Sequence, residues 1–466
     1  MRADRRIIHV LILLSVLFLA LATYLLYFNM FSARTVAQSP YNKRQWLAES
    51  HVKRGSVFDT NGITLAQTVT DKSGNSARSY PFGALYSHII GYHSQTYGNS
   101  QLEMKYDGPL MGQNNISPAF SGVTQGNDLT LTIDNALQQY AYSQLGSRNG
   151  AVIALDPKTG RILAMVSKPD FDPNEDKLDS NWETMVNDQN APLLARATQG
   201  LYAPGSTYKI VTVSAAFEAG LTGQTFNDTG KFDIGSNIIS NDDGKAHGNI
   251  TVAQGFTVSS NFVFCSLGTQ IGEGPTKSIA GRFGVDKTFD FDLPMSISTL
   301  PYKNMTSGDC ALTAIGQGKL LVTPLQMAMV VSCVANGGAI MKPYLVDKVT
   351  APDGATVSAA STQTLYSAES KDTADYIKSL MVDVVKSGTG TNAQIRGITV
   401  AGKTGTAENE KTVGGQSDKT HTWFVGFAPA EAPQIAVAVI LEYNGGTGGE
   451  YAAPIARNVM SKYLGK

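Results

Sequence analysis

Apolar positions dominate the start of the chain: from Ile7 to about Phe28 only His9, Ser15 and Thr23 relieve a run long enough to cross a hydrocarbon layer as a helix. A removable leader has a shorter apolar core and a small-residue exit, and Asn29 to Ala33 supplies no convincing one. An uncleaved anchor is therefore expected. Arg2, Arg5 and Arg6 lie ahead of the span, so residues 1–32 read as a cytoplasmic tip and transmembrane helix, with everything after Ser32 on the outer face of the cell membrane.

Past the span the pattern breaks into shorter pieces. Between 33 and 146 the chain is rich in Gly, Ser, Tyr and Asn, with strand-like segments at Ser56 to Phe58 and Asp128 to Ile133 and turn signals such as Thr60-Asn61-Gly62. This predicts a small, irregular α+β module with a modest core. The texture changes over 147–466. Ala151 to Leu155 and Ile162 to Val166 are apolar runs around Asp156-Pro157-Lys158-Thr159-Gly160-Arg161, a hairpin with turn residues at its centre. Helical spacing follows at Thr207 to Ala219, Val252 to Gly268 and Thr323 to Ala335, and strand patterns return at Trp423 to Ala428 and Ile435 to Glu442. Helices enclosed by two groups of strands predict an α+β domain: helices packed on an antiparallel sheet whose strands come from both ends of the domain. Ala351 to Ser361, rich in Ala, Ser and Thr, reads as a surface loop.

Bulk composition changes this picture mainly by exclusion. A length of 466 residues with 42% hydrophobic content suits two or three domains with a sizeable core. Lys plus Arg (37) nearly cancel Asp plus Glu (38) without a run of like charge, so no surface for nucleic acid is expected. Cys265, Cys310 and Cys333 show no Cys-x-x-Cys spacing, and the six histidines form no ligand pattern. No metal, cofactor or required disulfide is expected, and Cys265, beside Phe262, Phe264 and Leu267, reads as core.

Three short segments carry candidate chemistry. Ser206-Thr207-Tyr208-Lys209 follows Ala203-Pro204-Gly205 and opens an amphipathic run, which puts Ser206 at or beside a helix start with Lys209 one turn on. Free N–H groups there favour negative charge on a nucleophile, and a neutral amine one turn away can take its proton. A simple helix cap is the plain alternative, and Ser50-His51-Val52-Lys53 repeats the pattern in a poor context. In Ser259-Ser260-Asn261, Ser259 can relay a proton and Asn261 can bind an amide, whereas Ser73-Gly74-Asn75 and Ser147-Arg148-Asn149 read as turn or loop residues. Lys403-Thr404-Gly405-Thr406, after the strand-like Ile398 to Ala401, sets an ammonium and two hydroxyls along an edge strand, with Gly405 allowing close approach of a substrate backbone. Its copy Lys158-Thr159-Gly160 lies in a hairpin turn. His421 reads as packing or loop support, and Gln317-Gly318 with Thr323-Pro324 as a helix-start scaffold.

The ordered set is far more specific than any member. With Arg54 to Asp59, Leu129 to Asp134, Gly150 to Asp156, Gly316-Gln317-Gly318 and Trp423-Phe424-Val425-Gly426, the chain resembles a class B penicillin-binding protein, most closely the penicillin-binding protein A subgroup. One departure is Ser260, where β-lactamases of this superfamily carry Asp in the middle motif. The resemblance implies a catalytic domain at 147–466 with an all-helical part beside the sheet, and a pedestal, dimerisation-like module at 33–146. It implies a D,D-transpeptidase that cross-links peptidoglycan stem peptides in division or growth and is acylated by β-lactams. Ser206 would be the nucleophile, Lys209 its base, Ser259 a proton relay and Asn261 an amide ligand. Lys403 would organise charge, Thr404, Gly405 and Thr406 would bind substrate, and the backbone N–H groups of Ser206 and Thr406 would form the oxyanion hole. Implied partners are the membrane and a polytopic glycan polymerase or division proteins, since 33–146 is too short to hold a polymerase. A β-lactamase or D,D-carboxypeptidase, and a penicillin-sensing receptor or scaffold, are the competing readings.

Overall fold

Every residue of the His421–Ala428 strand is buried, and its two faces feed different cores: Trp423, Val425 and Phe427 on one side, Phe424 and Ala428 on the other. A strand apolar on both faces must lie inside a sheet with helices on each side. In this computed structural model, which describes residues 5–28, 52–70, 72, 76–112, 125–235, 237–409 and 419–466, it does. The antiparallel sheet has five strands in the order Ala401–Ala407, His421–Ala428, Ile435–Leu441, Gly150–Leu155, Ile162–Lys168. Its strands come from both ends of the domain, as the alternating blocks of pattern predict. Helices Asn135–Leu145 and Ala452–Tyr463 cover one face through Leu137, Ala141, Val459 and Met460. Pro324–Ala335 covers the other through Met327, Val330, Val331 and Val334. Beside that second face lies the helical part, Lys209–Glu218, Val252–Thr257, Asn261–Ile271, Glu273–Arg282 and Ser307–Ala314.

Helix starts follow local chemistry. Thr251 with Gln254 and Thr306 with Asp309 form capping boxes, and Thr323 caps Pro324–Ala335 with proline in the first turn. The Thr323-Pro324 block is thus a helix-start scaffold, as its sequence indicates.

The second sheet has six strands, ordered Thr356–Ala359, Val346–Thr350, Asp128–Leu131, Val57–Phe58, Thr64–Thr70, Ser76–Ser79. Two of them come from late in the chain, which corrects the reading of Ala351 to Ser361: it contains the exposed outer strand of a hairpin. Its polar, small residues look like loop because an edge strand with both faces in water has no apolar alternation to display. The Asn135–Leu145 helix, although ahead of residue 147, packs on the larger sheet, with Gln138 exchanging two hydrogen bonds with the Met165 backbone (2.7 and 2.8 Å). Ahead of the larger sheet in the chain, buried Glu103 bridges Arg54 (2.6 Å) and Arg78 (2.7 Å).

Among the described residues one helix, Ile7–Tyr27, is long and apolar enough to cross a membrane, and its apolar side chains are exposed. The readings placed on Arg2, Asn29 to Ala33, Ser50-His51 and Ser73-Gly74-Asn75 lie outside the described residues.

Candidate active site

Three close approaches build the floor under Ser206. The segment Gly205–Tyr208 is a 3-10 turn leading into the Lys209–Glu218 helix. Gly205 has φ +53°, and a Cβ there would lie 2.6 Å from the Thr406 carbonyl oxygen. Gly316, at φ +75°, has its own missing Cβ 2.1 Å from the Gly205 oxygen, and its carbonyl accepts the Gly205 N–H at 2.9 Å. Only glycine fits either place. Trp423 Nε1 donates to the Ala203 carbonyl at 3.1 Å, tying the approach segment to the sheet. Ser206 itself stays half-buried while Thr207, Tyr208 and Lys209 are buried.

Two amines converge on one hydroxyl. Lys209 Nζ donates to the Ser259 carbonyl (2.7 Å) and to Asn261 Oδ1 (2.8 Å), and lies 3.4 Å from Ser259 Oγ. Lys403 Nζ reaches the same Ser259 Oγ at 2.9 Å and the Thr404 carbonyl at 3.2 Å. Both lysines are fully buried. Burial pushes Lys209 down to about 7, and burial together with the charge of Lys209 holds Lys403 well below the ordinary lysine range. An amine so depressed is available as a base near neutral pH, which an exposed lysine is not.

Ser259 is held in an unusual backbone state, with φ +62°. The expected single helix over Val252 to Gly268 is therefore two, Val252–Thr257 and Asn261–Ile271, with the motif at the break. The apolar spacing continues through the break because both helices face the same core, so periodicity alone cannot show it.

Residues 150–461 match the family described as the penicillin binding protein transpeptidase domain, and residues 54–127 the penicillin binding protein A dimerisation domain. The chain belongs to the penicillin-binding proteins. It is 33% identical to the protein named peptidoglycan D,D-transpeptidase PbpA of Mycolicibacterium smegmatis, over 99% of this chain and 98% of that one. Penicillin-binding protein A of Mycobacterium tuberculosis, solved as a ceftriaxone acyl-enzyme, superposes with a TM-score of 0.83 at 31% identity, covering 90% of this chain and all of that one (100%). A D,D-transpeptidase domain from Eggerthella lenta gives a TM-score of 0.80 at 37% identity, covering 89% and 99%.

In this penicillin-binding protein the Ala401–Ala407 strand is the edge of the sheet, and it begins at Ala401, so Ile398 to Val400 precede it. Along it Thr406 is exposed and pairs with Thr422, while the Thr404 hydroxyl lies 2.6 Å from that of Thr389. The reason for Gly405 differs from the expected one. A Cβ there would meet Thr207 Cγ2 at 2.9 Å and the Pro204 oxygen at 3.0 Å, so the space is filled by the protein's own Ser206 turn. His421 accepts the Tyr443 N–H at 3.1 Å and packs edge-on against Tyr202, in keeping with structural support. Cys265, Cys310 and Cys333 are free and buried, and burial pushes the Cys265 thiol up to about 12.

The copies of the motifs separate by context. Lys158-Thr159-Gly160 forms a turn around Asp156, which accepts from Lys158 N (2.9 Å) and Thr159 Oγ1 (2.7 Å). Ser147-Arg148-Asn149 follows a helix end, where Arg148 donates to the Gln144 carbonyl. Sequence reasoning missed Asp228, Asn241, Thr389 and the Trp423 indole. Asp228-Thr229-Gly230 reads as an ordinary turn, and only burial distinguishes its carboxylate.

Proposed function

We propose that this chain is a peptidoglycan D,D-transpeptidase in which Ser206 is the nucleophile and the residue that penicillins acylate. The observation that carries the proposal is the meeting of two fully buried amines, Lys209 and Lys403, at Ser259 Oγ, with Lys209 opening the helix that directly follows the half-buried Ser206 turn. Neutral Lys209 takes the Ser206 proton as Oγ attacks the carbonyl of the penultimate D-alanine. The N–H groups of Ser206 and Thr406 receive the developing oxyanion; the close approach of Gly205 to the Thr406 backbone supports that pairing. Collapse breaks the C–N bond, and Ser259 passes the proton to the departing D-alanine amine. An amine of a neighbouring stem peptide then attacks the ester, surrenders a proton along the same route, and restores the Ser206 hydroxyl. Thr404 and Thr406 hold the terminal carboxylate, with Gly405 between them giving the edge its shape, and Asn261 binds the peptide amide.

The span at Ile7–Tyr27 anchors the enzyme in the membrane with its catalytic domain outside, beside a separate polymerase that makes the glycan strands. Intact mass after exposure to a penicillin tests the assignment. One adduct is expected on the wild type and none on Ser206→Ala; an equal adduct on both would refute it.

A further inference from the structure

Two buried amines in contact with one hydroxyl call for a compensating charge, because the interior solvates them poorly. The carboxylate acting on Lys209 is Asp228, at the end of the Thr225–Asp228 strand and 1% exposed. Its two oxygens are fully engaged. Oδ1 accepts the Gly230 N–H (2.8 Å) and Asn241 Nδ2 (2.9 Å); Oδ2 accepts Ser260 Oγ (2.7 Å) and the same Asn241 nitrogen (2.9 Å). Asn241 Oδ1 in turn accepts the backbone N–H groups of Asn261 (2.8 Å) and Phe262 (3.0 Å), and Ser260 Oγ accepts that of Val263 (3.1 Å). The two side chains that accept the first backbone N–H groups of the Asn261–Ile271 helix, Asn241 and Ser260, are thus both tied to one carboxylate. Directly before that start stands Ser259, a serine with a positive φ, which persists only where its surroundings over-determine it.

A serine can cap a helix without any carboxylate behind it, so capping alone does not account for Asp228. We propose that Asp228 is a positioning residue for the acyl transfer: through Ser260 and Asn241 it holds Ser259 in its left-handed conformation, and its charge acts on Lys209, whose amine donates to the Asn261 that Asn241 fixes. The inference rests on the chemistry proposed for Ser206. It also gives a reason for Ser260: the middle of the motif needs no acid of its own when a remote one reaches it.

Lys209 is faced by Lys403 from the sheet edge, by the Cys265 thiol and Phe264 ring from the Asn261–Ile271 helix, and by Asp228. Burial keeps the thiol protonated up to about 12, so the carboxylate is the negative charge that acts on the amine. Removing it favours the neutral amine, which moves the acid limb of acylation to lower pH.

The test uses the full chain in detergent as wild type, Asp228→Asn and Ser260→Ala. Each is reacted with a fluorescent penicillin between about pH 5.5 and 9.5, and the label is mapped by peptide mass. Asp228→Asn is expected to acylate at least about tenfold more slowly, with its acid limb shifted down by about half a pH unit or more. Ser260→Ala keeps the charge, so it is expected to acylate more slowly with the limb unmoved. An Asp228→Asn limb that coincides with the wild type overturns the inference, whatever the rate. Should Asp228→Asn show no cooperative melting, Ser260→Ala decides, and a rate within about twofold of wild type overturns it. A wild type that takes no label at Ser206 removes the parent reading and this one with it; a labelled wild type with coincident limbs removes this one alone.

Discussion

Lys209 shows how its surroundings tune a single side chain for the role proposed for it. Its ammonium, when present, gives hydrogen bonds to the Ser259 carbonyl and Asn261 Oδ1, yet burial outweighs them and leaves the group at about 7. In the proposed reaction the amine is protonated below that value and would not accept the Ser206 proton; above it the base would be free. Acylation by a penicillin is therefore expected to rise with pH through an acid limb near 7, read as the second-order rate constant against pH. Lys209→Ala should lower that constant by about a hundredfold or more, the range for loss of a general base. A profile flat through this range would show that another group takes the proton. The residue types at 206, 209 and 403 are visible in the sequence; the depression of an amine is not, because it arises from what surrounds it.

At the scale of elements the site is a seam between a turn, a broken helix and an edge strand. The seam closes because residues on its two sides lack side chains: Gly205 against Thr406, Gly405 against Thr207 and Gly316 against Gly205. Gly316→Ala would push a methyl to within 2.1 Å of the Gly205 oxygen, at a φ of +75° that side chains avoid. We expect a loss of about 1–3 kcal/mol in stability from the backbone strain alone. Acylation should fall at least about tenfold, since small displacements near the reacting atoms are costly. Melting temperature and labelling rate, taken together, check this; unchanged labelling would mean that the turn tolerates displacement. The strands and the hairpin turn at Asp156 were legible because alternation and turn residues are local signals. The break at Ser259 was not, since Val252 to Gly268 keeps its apolar spacing across it.

Over the whole molecule, two sheets share chain segments. The Val346–Thr350 and Thr356–Ala359 strands complete the six-stranded sheet from late in the chain, and the Asn135–Leu145 helix packs the other way, on the five-stranded one. The buried polar centre of the segment before the larger sheet is Glu103. Burial opposes its charge, but Arg78 and Arg54 outweigh that and hold the carboxyl down at about 2. Its contribution is present above the ordinary carboxylate value and is lost as pH falls through about 2. Glu103→Gln leaves two buried guanidinium groups short of a counter-charge, and a cost of about 3–5 kcal/mol is expected. Denaturant unfolding of wild type and variant at neutral pH measures it; near-equal midpoints would show that Asp107, 2.6 Å from Arg54, suffices.

The sequence by itself determined the long apolar helix near the start, the class of fold, the family and the residue types of the candidate site, because each is carried by spacing or by a local signal along the chain. Tertiary structure alone decided that Lys209 and Lys403 meet at Ser259, why Gly405 is glycine, and that Asp228 stands behind Ser260. Those facts depend on burial and on contacts between distant segments, and a charge or a cavity acquires its effect only from neighbours that folding brings to it.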